Sequence, residues 1–505
     1  MSTTEPTAAP PAPTRLPTGN QGLDEILEGG FVAGHLYLLA GLPGTGKTTV
    51  AMQFLMANAA AGARGIYITL SETADELRLA AESHGWVIPP ALNLFELLPP
   101  ENLLNEERQQ SLLYSSDLEL GESVRRVFEE VERTQPSIVV LDSLSEIRLL
   151  AQSSLRYRRQ VLSLKHYFIQ RGVPVLMLDD LTSEATDKTV HSVAHGVLLL
   201  EELAPAYGAE RRRMRVLKYR ASSFRGGYHD LTIARGGVTV FPRLRAAEHK
   251  KRVERTPLGS GIAELDQLLG GGVERGTSAL LLGPAGAGKS LLAVTFALES
   301  MRRNEKVAMF IFDEELGLLF DRSRNMGIDL EAMRETGLLS VEQVDAAELS
   351  PGEFSERVRS TVSARGAKTV VIDSLNGYQA AMPEEQFLLL HVHELLQYLN
   401  RQGATTFLTV AQHGLVGDMK APVDVTYLAD TVLLLRFFEA RGQVRRAVSV
   451  IKKRAGWHEN TIREYQIGAT GLRLGEPLVE FQGVLRGVPE YAGDGRALIK
   501  SAGET

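Results

Sequence analysis

The sequence predicts an α/β protein built twice: two tandem domains, each a mainly parallel sheet flanked by helices and finished by antiparallel edge strands. Three observations carry this. A phosphate-loop pattern, G-x-x-x-x-G-K-[ST], occurs as Gly41-Leu-Pro-Gly-Thr-Gly-Lys-Thr48 and again as Gly283-Pro-Ala-Gly-Ala-Gly-Lys-Ser290. The two lysines, Lys47 and Lys289, stand 242 positions apart, and similarity at that period extends well outside the loops. Short β-rich runs alternate with helical stretches in both halves, the signature of βα units and a parallel sheet.

A chain of 505 residues exceeds one ordinary core, and the duplicated loop divides it into two large domains. Apolar residues at 44% and charged residues at 23% are the composition of a globular fold. The net charge of −7 argues against a dedicated nucleic-acid binder, whose footprint is a basic face. There is no cysteine, which excludes disulfides, cysteine-ligated zinc, iron–sulfur clusters and thiol catalysis, and suits a reducing cytoplasm. No apolar run approaches about 18 residues, so no membrane span is expected.

Taken in order, residues 1–14 are rich in Pro and Ala, lack the basic start and apolar middle of a leader, and are read as a disordered arm. The first domain is placed at 15–245, a charged linker at 246–256, the second domain at 257–488 and a flexible tail at 489–505. Asp24 faces Asp266, and Ile66–Glu72 faces Ala308–Glu314, both at the period of 242. Ile138–Leu144 then faces Thr369–Leu375 at 231, so the first half carries 11 extra residues, placed within Pro99–Leu120. Val197–Glu201, Met214–Tyr219, Asp230–Ala234 and Val238–Phe241 are short and turn-bounded, and are expected as antiparallel strands added to one edge.

Each loop sits between an apolar run and a helical stretch, the context a genuine phosphate site needs; a plain glycine-rich turn before a core helix is the bland alternative. Glycines let backbone N–H groups approach phosphate, the helix N-terminus adds positive potential, and the lysine reaches the β- and γ-phosphates. The nucleotide-binding set is therefore Gly41, Gly44, Thr45, Gly46, Lys47, Thr48 and Thr49, with Gly283, Gly286, Ala287, Gly288, Lys289, Ser290 and Leu291 in the second half. The hydroxyls of Thr48 and Ser290 complete a Mg²⁺ site with Asp142 and Asp373, acids that end apolar runs; a capping Asp is the bland reading. In RecA-like ATPases the strand after the phosphate-loop helix is followed by the carboxylate that orients or deprotonates the nucleophile. Glu72 and Glu314 hold that position, beside Asp313 and Glu315 in the second half, and Glu314 is also counted with the metal-facing acids. Adjacent carboxylates are expected to raise one another's proton affinity.

Val216-Leu-Lys-Tyr-Arg220 recurs as Val450-Ile-Lys-Lys-Arg454. Alternation puts Lys218 with Arg220, and Lys452 with Arg454, on one strand face, where they could reach a γ-phosphate bound by a neighbouring subunit; an ordinary basic edge strand is the alternative. Arg211-Arg-Arg213 occurs in one half and is read as solvated loop charge.

These residues together resemble the KaiC family, tandem RecA-like ATPases and autokinases of the cyanobacterial clock and related bacterial and archaeal proteins. The second half is the more specific, with Val371-Ile-Asp-Ser-Leu-Asn-Gly-Tyr378, Ala429-Asp-Thr-Val-Leu-Leu-Leu435, and Val450-Ile-Lys-Lys-Arg-Ala-Gly-Trp-His458 followed by Ile462-Arg-Glu-Tyr465. The resemblance implies a double-ring homohexamer with ATP and Mg²⁺ between subunits, slow ATPase activity in the first domain, and Ser/Thr autophosphorylation across the interface in the second. It departs from the family at Ser71-Glu72, where the clock proteins carry two Glu, and at Val425-Thr-Tyr-Leu428, where Tyr427 replaces the second phosphoacceptor and leaves Thr426 as the candidate. It admits a KaiB-like partner on the first domain; the tail offers nothing like a KaiA-recognition peptide. Two other classes are weighed: a DNA-dependent RecA-like ATPase, opposed by the acidic charge, and a scaffold that uses ATP as interface glue.

Overall fold

The computed structural model describes residues 14–97, 112–181, 189–204, 208–246, 254–381, 385–412, 425–469, 471–486 and 490–491. The chain divides after Arg243 into two compact units.

The first unit runs β1 (Arg15–Leu16), α1 (Gln21–Ile26), β2 (Phe31–Val32), β3 (Leu36–Gly41), α2 (Lys47–Ala60), β4 (Gly65–Thr69), α3 (Ala74–Ser83) and β5 (Leu92–Glu96). It continues through α4 (Leu112–Thr134), β6 (Ile138–Asp142), α5 (Leu144–Ala151), α6 (Ser154–Gln170), β7 (Val175–Asp180) and α7 (Thr189–Val193). It closes with β8 (Gly196–Leu203), β9 (Arg211–Tyr219), β10 (His229–Ala234) and β11 (Gly237–Phe241). The second unit repeats the plan as β12 (Pro257–Leu258), α8 (Ala263–Leu268), β13 (Val273–Glu274), β14 (Ser278–Gly283), α9 (Lys289–Arg302), β15 (Val307–Ile311), α10 (Leu316–Arg324), α11 (Leu330–Glu335) and β16 (Leu339–Gln343). Then follow α12 (Pro351–Ser363), β17 (Thr369–Asp373), α13 (Leu375–Ala381), α14 (Glu385–Gln402), β18 (Thr405–Ala411), β19 (Thr431–Ala440), β20 (Gln443–Lys453), β21 (Ile462–Gly468), β22 (Gly471–Pro477), β23 (Phe481–Gln482) and β24 (Glu490–Tyr491).

Each unit holds a 9-stranded sheet, ordered β11-β10-β9-β8-β3-β7-β6-β4-β5 in the first and β16-β15-β17-β18-β14-β19-β20-β21-β22 in the second. The phosphate-loop strands β3 and β14 lie mid-sheet between parallel neighbours. Their residues, Leu36–Gly41 and Ser278–Gly283, are buried throughout, because helices cover both faces of a parallel sheet. Separate apolar cores form on the two faces of each sheet.

One expectation is corrected. β8, which contains Val197–Glu201, runs parallel to β3 and extends the parallel core; only β9, β10 and β11 are antiparallel. β19 does the same beside β14. A short run bounded by turns looks alike in either direction, and here the crossover through α6, β7 and α7 sets the direction. The first half's extra residues add N-terminal turns to α4, 23 residues long against 13 in α12; residues 98–111 lie outside the described set. Leu244 and Ala246, assigned from sequence to the end of the first domain and the start of the linker, are buried in the second unit's core. Ala246 donates its N–H to Glu394 and its carbonyl accepts from Arg401. Glu490–Tyr491, assigned to the tail, pairs with Phe481–Gln482; the arm 1–13 and residues 492–505 are not described.

In the second unit, His391 on α14 ties three helices. Its Nε2 meets Ser355 Oγ at 3.0 Å and its Nδ1 meets the Tyr378 hydroxyl at 2.6 Å. Burial lowers its pKa from 6.5 to about 4. The folded state thus holds the neutral ring while the unfolded chain protonates near 6.5, so this contribution is complete above that pH and is lost as pH falls toward 4. Thermal unfolding between pH 7 and pH 4.5 is expected to reveal a loss on the order of 2 kcal/mol in the second unit. A His391→Gln variant should show a shallower loss; an identical slope would remove His391 as its cause.

Candidate functional site

Both phosphate loops join a central strand to a helix through a left-handed glycine. Gly46 has φ 96° and Gly288 φ 92°. A Cβ at these positions would lie 2.5 Å from Ile233 Cδ1 and 2.6 Å from Ile467 Cδ1 respectively, so only glycine fits this turn. The loop interior is fixed from within. Thr45 Oγ1 donates to the Leu42 carbonyl at 2.8 Å, and the Ala287 carbonyl accepts from Tyr465. Thr45, Ala287 and Leu291 are buried, so these three sequence candidates offer a ligand their backbone rather than their side chains.

The lysines are buried as well, Lys47 at 6% exposure and Lys289 at 8%. Lys47 Nζ donates to the Gly41 and Leu42 carbonyls, each at 2.9 Å, and pairs with Asp180 at 2.7 Å. Lys289 Nζ donates to the Pro284 carbonyl at 2.8 Å, and burial lowers its pKa. Thr48 Oγ1 lies 3.3 Å from Asp142 Oδ2, which also accepts from Tyr67 at 2.5 Å. Burial raises the Asp142 pKa against the Tyr67 bond, with Asp180 adding to the rise. Asp373 in the second site accepts from Thr409 on β18. Among the described residues no group of three or more His, Asp or Glu is arranged to hold a metal by itself. One carboxylate beside one hydroxyl is the donor set of a Mg²⁺ ion that keeps its remaining positions for water and phosphate, so Thr48 with Asp142 fits that ion.

Glu72 stands in the turn between β4 and α3, its backbone held by Thr69 Oγ1 in both directions. Its pKa is raised, first by desolvation and then by Asp142, Glu76 and Asp180, while Lys47 opposes. Glu314 is raised by burial, opposed by Arg322 at 3.0 Å and helped by Asp373. The neighbours expected to act on it, Asp313 and Glu315, are not among the causes. Asp313 turns instead to accept from Ser374, beneath Gly377, where a Cβ would meet Asp313 Oδ1 at 2.6 Å.

Lys218 and Lys452 clamp their own chain. Lys218 Nζ donates to the carbonyls of His191, Ser192 and Ala194 at 2.7, 3.1 and 2.6 Å. Lys452 Nζ donates to those of Thr426 and Ala429 at 2.9 and 2.8 Å. Arg220 and Arg454, both exposed, add bonds to Ser192 and Tyr427. All four stand at the edge of the sheet where β8 and β19 begin, opposite the phosphate loops. Arg211–Arg213 is corrected from loop to strand: it opens β9 and pairs with β8. Arg213 meets Glu201 at 2.8 Å, Arg212 meets Glu202 at 3.2 Å, and Arg212 Nε touches the Gly44 carbonyl at 3.3 Å.

Two site neighbours escaped the sequence. His84 Nε2 lies 3.4 Å from Thr49 Oγ1 and its Nδ1 is 3.0 Å from the Ala234 carbonyl. Asp180, at the end of β7, is the ion-pair partner of Lys47. Their only signal was position: one caps a helix and one ends a strand.

Glycine cradles, buried lysines and acids at the C-terminal edge of a parallel sheet define a P-loop ATPase of RecA-like architecture, built twice in one chain. The family model described as "ATPase: KaiC" matches residues 16–245 and 258–479, and the chain belongs to that family. Curated relatives include the circadian clock oscillator protein KaiC of Picosynechococcus sp., 26% identical over 93% of this chain and 91% of that protein. Those of Thermostichus vulcanus and Acaryochloris marina are also 26% identical, over 94% of this chain and 92% and 91% of theirs. Among the described residues no helix is long and apolar enough to cross a membrane.

A base must be ionised to take a proton, so if Glu72 is that base its raised pKa moves the requirement to higher pH. With the second site silenced by Lys289→Ala, turnover is expected to fall on acidification at a pH above the ordinary carboxylate range. Glu72→Gln should lower the rate roughly 10²–10⁴-fold and flatten that limb; an unchanged profile in rate measurements against pH would dismiss Glu72.

Proposed function

We propose that both sites bind Mg·ATP, that the first hydrolyses it slowly with Glu72 acting on water, and that the second transfers phosphate to Thr426 of a neighbouring subunit in a homohexamer. The observation that carries the reading is the pair of built loops, each joining a glycine cradle, a buried lysine and an acid at the next strand but one. Thr48 with Asp142, and Ser290 with Asp373 and Glu314, would hold Mg²⁺, which supplies charge neutralisation at the phosphates. The loop backbones would orient those phosphates.

Transfer between subunits is supported by topology. β14 and β19 run parallel with Ala279 opposite Thr431. Thr426 precedes β19, whereas Lys289 follows β14, so acceptor and phosphate loop lie at opposite edges of the sheet, roughly 16 Å of strand apart. Thr426 therefore cannot meet its own lysine, but a head-to-tail ring would bring it to a neighbour's. The same edge carries Arg454, whose exposed guanidinium could follow the acceptor segment to that phosphate, while Lys452 holds the carbonyls of Thr426 and Ala429; Arg220 and Lys218 hold residues 191–194 at the equivalent edge of the first unit's own sheet. Tyr427 is exposed at 53%, but its phenolic oxygen stands farther from the backbone than a Thr hydroxyl, out of register with a site set for Thr426.

The signalling or timing role, a cytoplasmic setting, a KaiB-like partner on the first domain and the lack of a KaiA-like one follow from the family reading alone. The net charge of −7 disfavours nucleic acid as a partner. The test is mixing. Lys289→Ala chains, which keep Thr426, are combined with Thr426→Ala chains, which keep the lysine, in labelled Mg·ATP. Label on the Lys289→Ala chains at Thr426 is expected; label confined to wild-type chains, with none in the mixture, would contradict transfer between subunits, and no label on any chain would leave an ATPase without the kinase.

A further inference from the structure

The two sites differ at one position that the backbone treats identically. In the first unit β7 ends at Asp180, opposite Gly41 of β3; in the second, β18 ends at Ala411, opposite Gly283 of β14. The helix following the metal-facing acid grips both strand ends in the same way. Ser145 Oγ accepts from the Asp180 N–H at 3.0 Å and donates to its carbonyl at 3.2 Å. Asn376 accepts from the Ala411 N–H at 2.7 Å and donates to its carbonyl at 3.1 Å. The main chain is thus held in equivalent places, and only the side chain changes, from carboxylate to methyl.

That side chain decides what the buried lysine does before phosphate arrives. An ammonium has three N–H donors. Lys47 commits them to the Gly41 carbonyl, the Leu42 carbonyl and Asp180, the last at 2.7 Å with the carboxylate 29% exposed. A charge-assisted bond of this kind is roughly twice as strong as a neutral one. A phosphate oxygen claiming Lys47 must displace it, and must come to rest beside the carboxylate's own negative charge. Among the described residues Lys289 forms no ion pair, and phosphate there displaces at most a carbonyl.

We propose that Asp180 is a positioning residue that competes with nucleotide phosphate for Lys47 and so sets a weaker hold on nucleotide in the first site than in the second. The competition rests on the reading of both loops as nucleotide sites. It gives one chain two sites of unequal affinity from nearly identical loops, and it favours release of nucleotide where water is the acceptor. A repulsive element of this type tunes affinity without altering the phosphate cradle itself.

Equilibrium dialysis with ADP and a non-hydrolysable ATP analogue, both with Mg²⁺, tests this in the full chain. In a Lys289→Ala background, Asp180→Ala is expected to tighten the first site roughly tenfold, with Asp180→Glu keeping the parent's weaker binding. In a Lys47→Ala background, Ala411→Asp should weaken the second site by a similar factor, so the two substitutions move affinity in opposite directions, which lost packing would not do. Unchanged or weaker binding in Asp180→Ala, with an unchanged melting temperature, overturns the proposal. Should that variant fail to fold, unaltered affinity in Ala411→Asp overturns it equally. If the Lys289→Ala parent takes up no nucleotide at all, the first loop is not a nucleotide site, and the proposal falls with that reading rather than alone.

Discussion

Burying an ammonium group is costly unless acceptors surround it, and this chain does so twice, at Lys47 and Lys289. The surrounding structure follows from that constraint. The lysine must open a helix directly off a central strand, which requires a left-handed glycine before it and a strand end whose carbonyls point inward. The strand must be flanked on both sides by parallel neighbours, so that carboxylates from adjacent strand ends converge on the same edge. A buried cation held by a carbonyl rather than by a full counter-charge, as Lys289 is, is poised for a polyanion, whereas Lys47 must also give up Asp180 to receive one.

The two units solve the same problem with different electrostatics. In the first, burial raises Glu72 and Asp142, with Asp142 and Asp180 adding to the rise at Glu72 and Asp180 to that at Asp142, while Lys47 is tied to Asp180. In the second, Asp373 bonds Thr409, Glu314 is drawn to Arg322, and Asp313 turns to Ser374. The same backbone therefore presents a carboxylate-crowded mouth in one unit and a looser set of separately paired acids in the other.

Much of this was legible in the sequence because the phosphate loop is local: glycines, lysine and hydroxyl lie within eight residues, and their turn is dictated by backbone sterics. Asp142 and Asp373 were legible because a fully buried parallel strand reads as an apolar run ending in an acid. What stayed hidden depended on contacts between distant segments. Asp179-Asp180 looks like any polar strand end until β7 is seen beside β3. His84 becomes a site neighbour only when Ala234 on β10 fixes its ring. The parallel direction of β8, the strand setting of Arg211–Arg213 and the carbonyl clamp of Lys218 all follow from pairings across the sheet that composition does not encode. Asp313 and Glu315 do not act on Glu314 for a simpler reason: successive residues beyond a strand end point in different directions, and Asp313 turns to Ser374 while Glu314 meets Arg322.

Each buried lysine is expected to anchor one nucleotide. Counting bound nucleotide per chain in the purified protein at saturating Mg·ADP tests it most directly. Two per chain are expected, falling to one in either Lys47→Ala or Lys289→Ala; a count of one in the unaltered protein, or two in either variant, would show that the lysines do not each anchor a nucleotide.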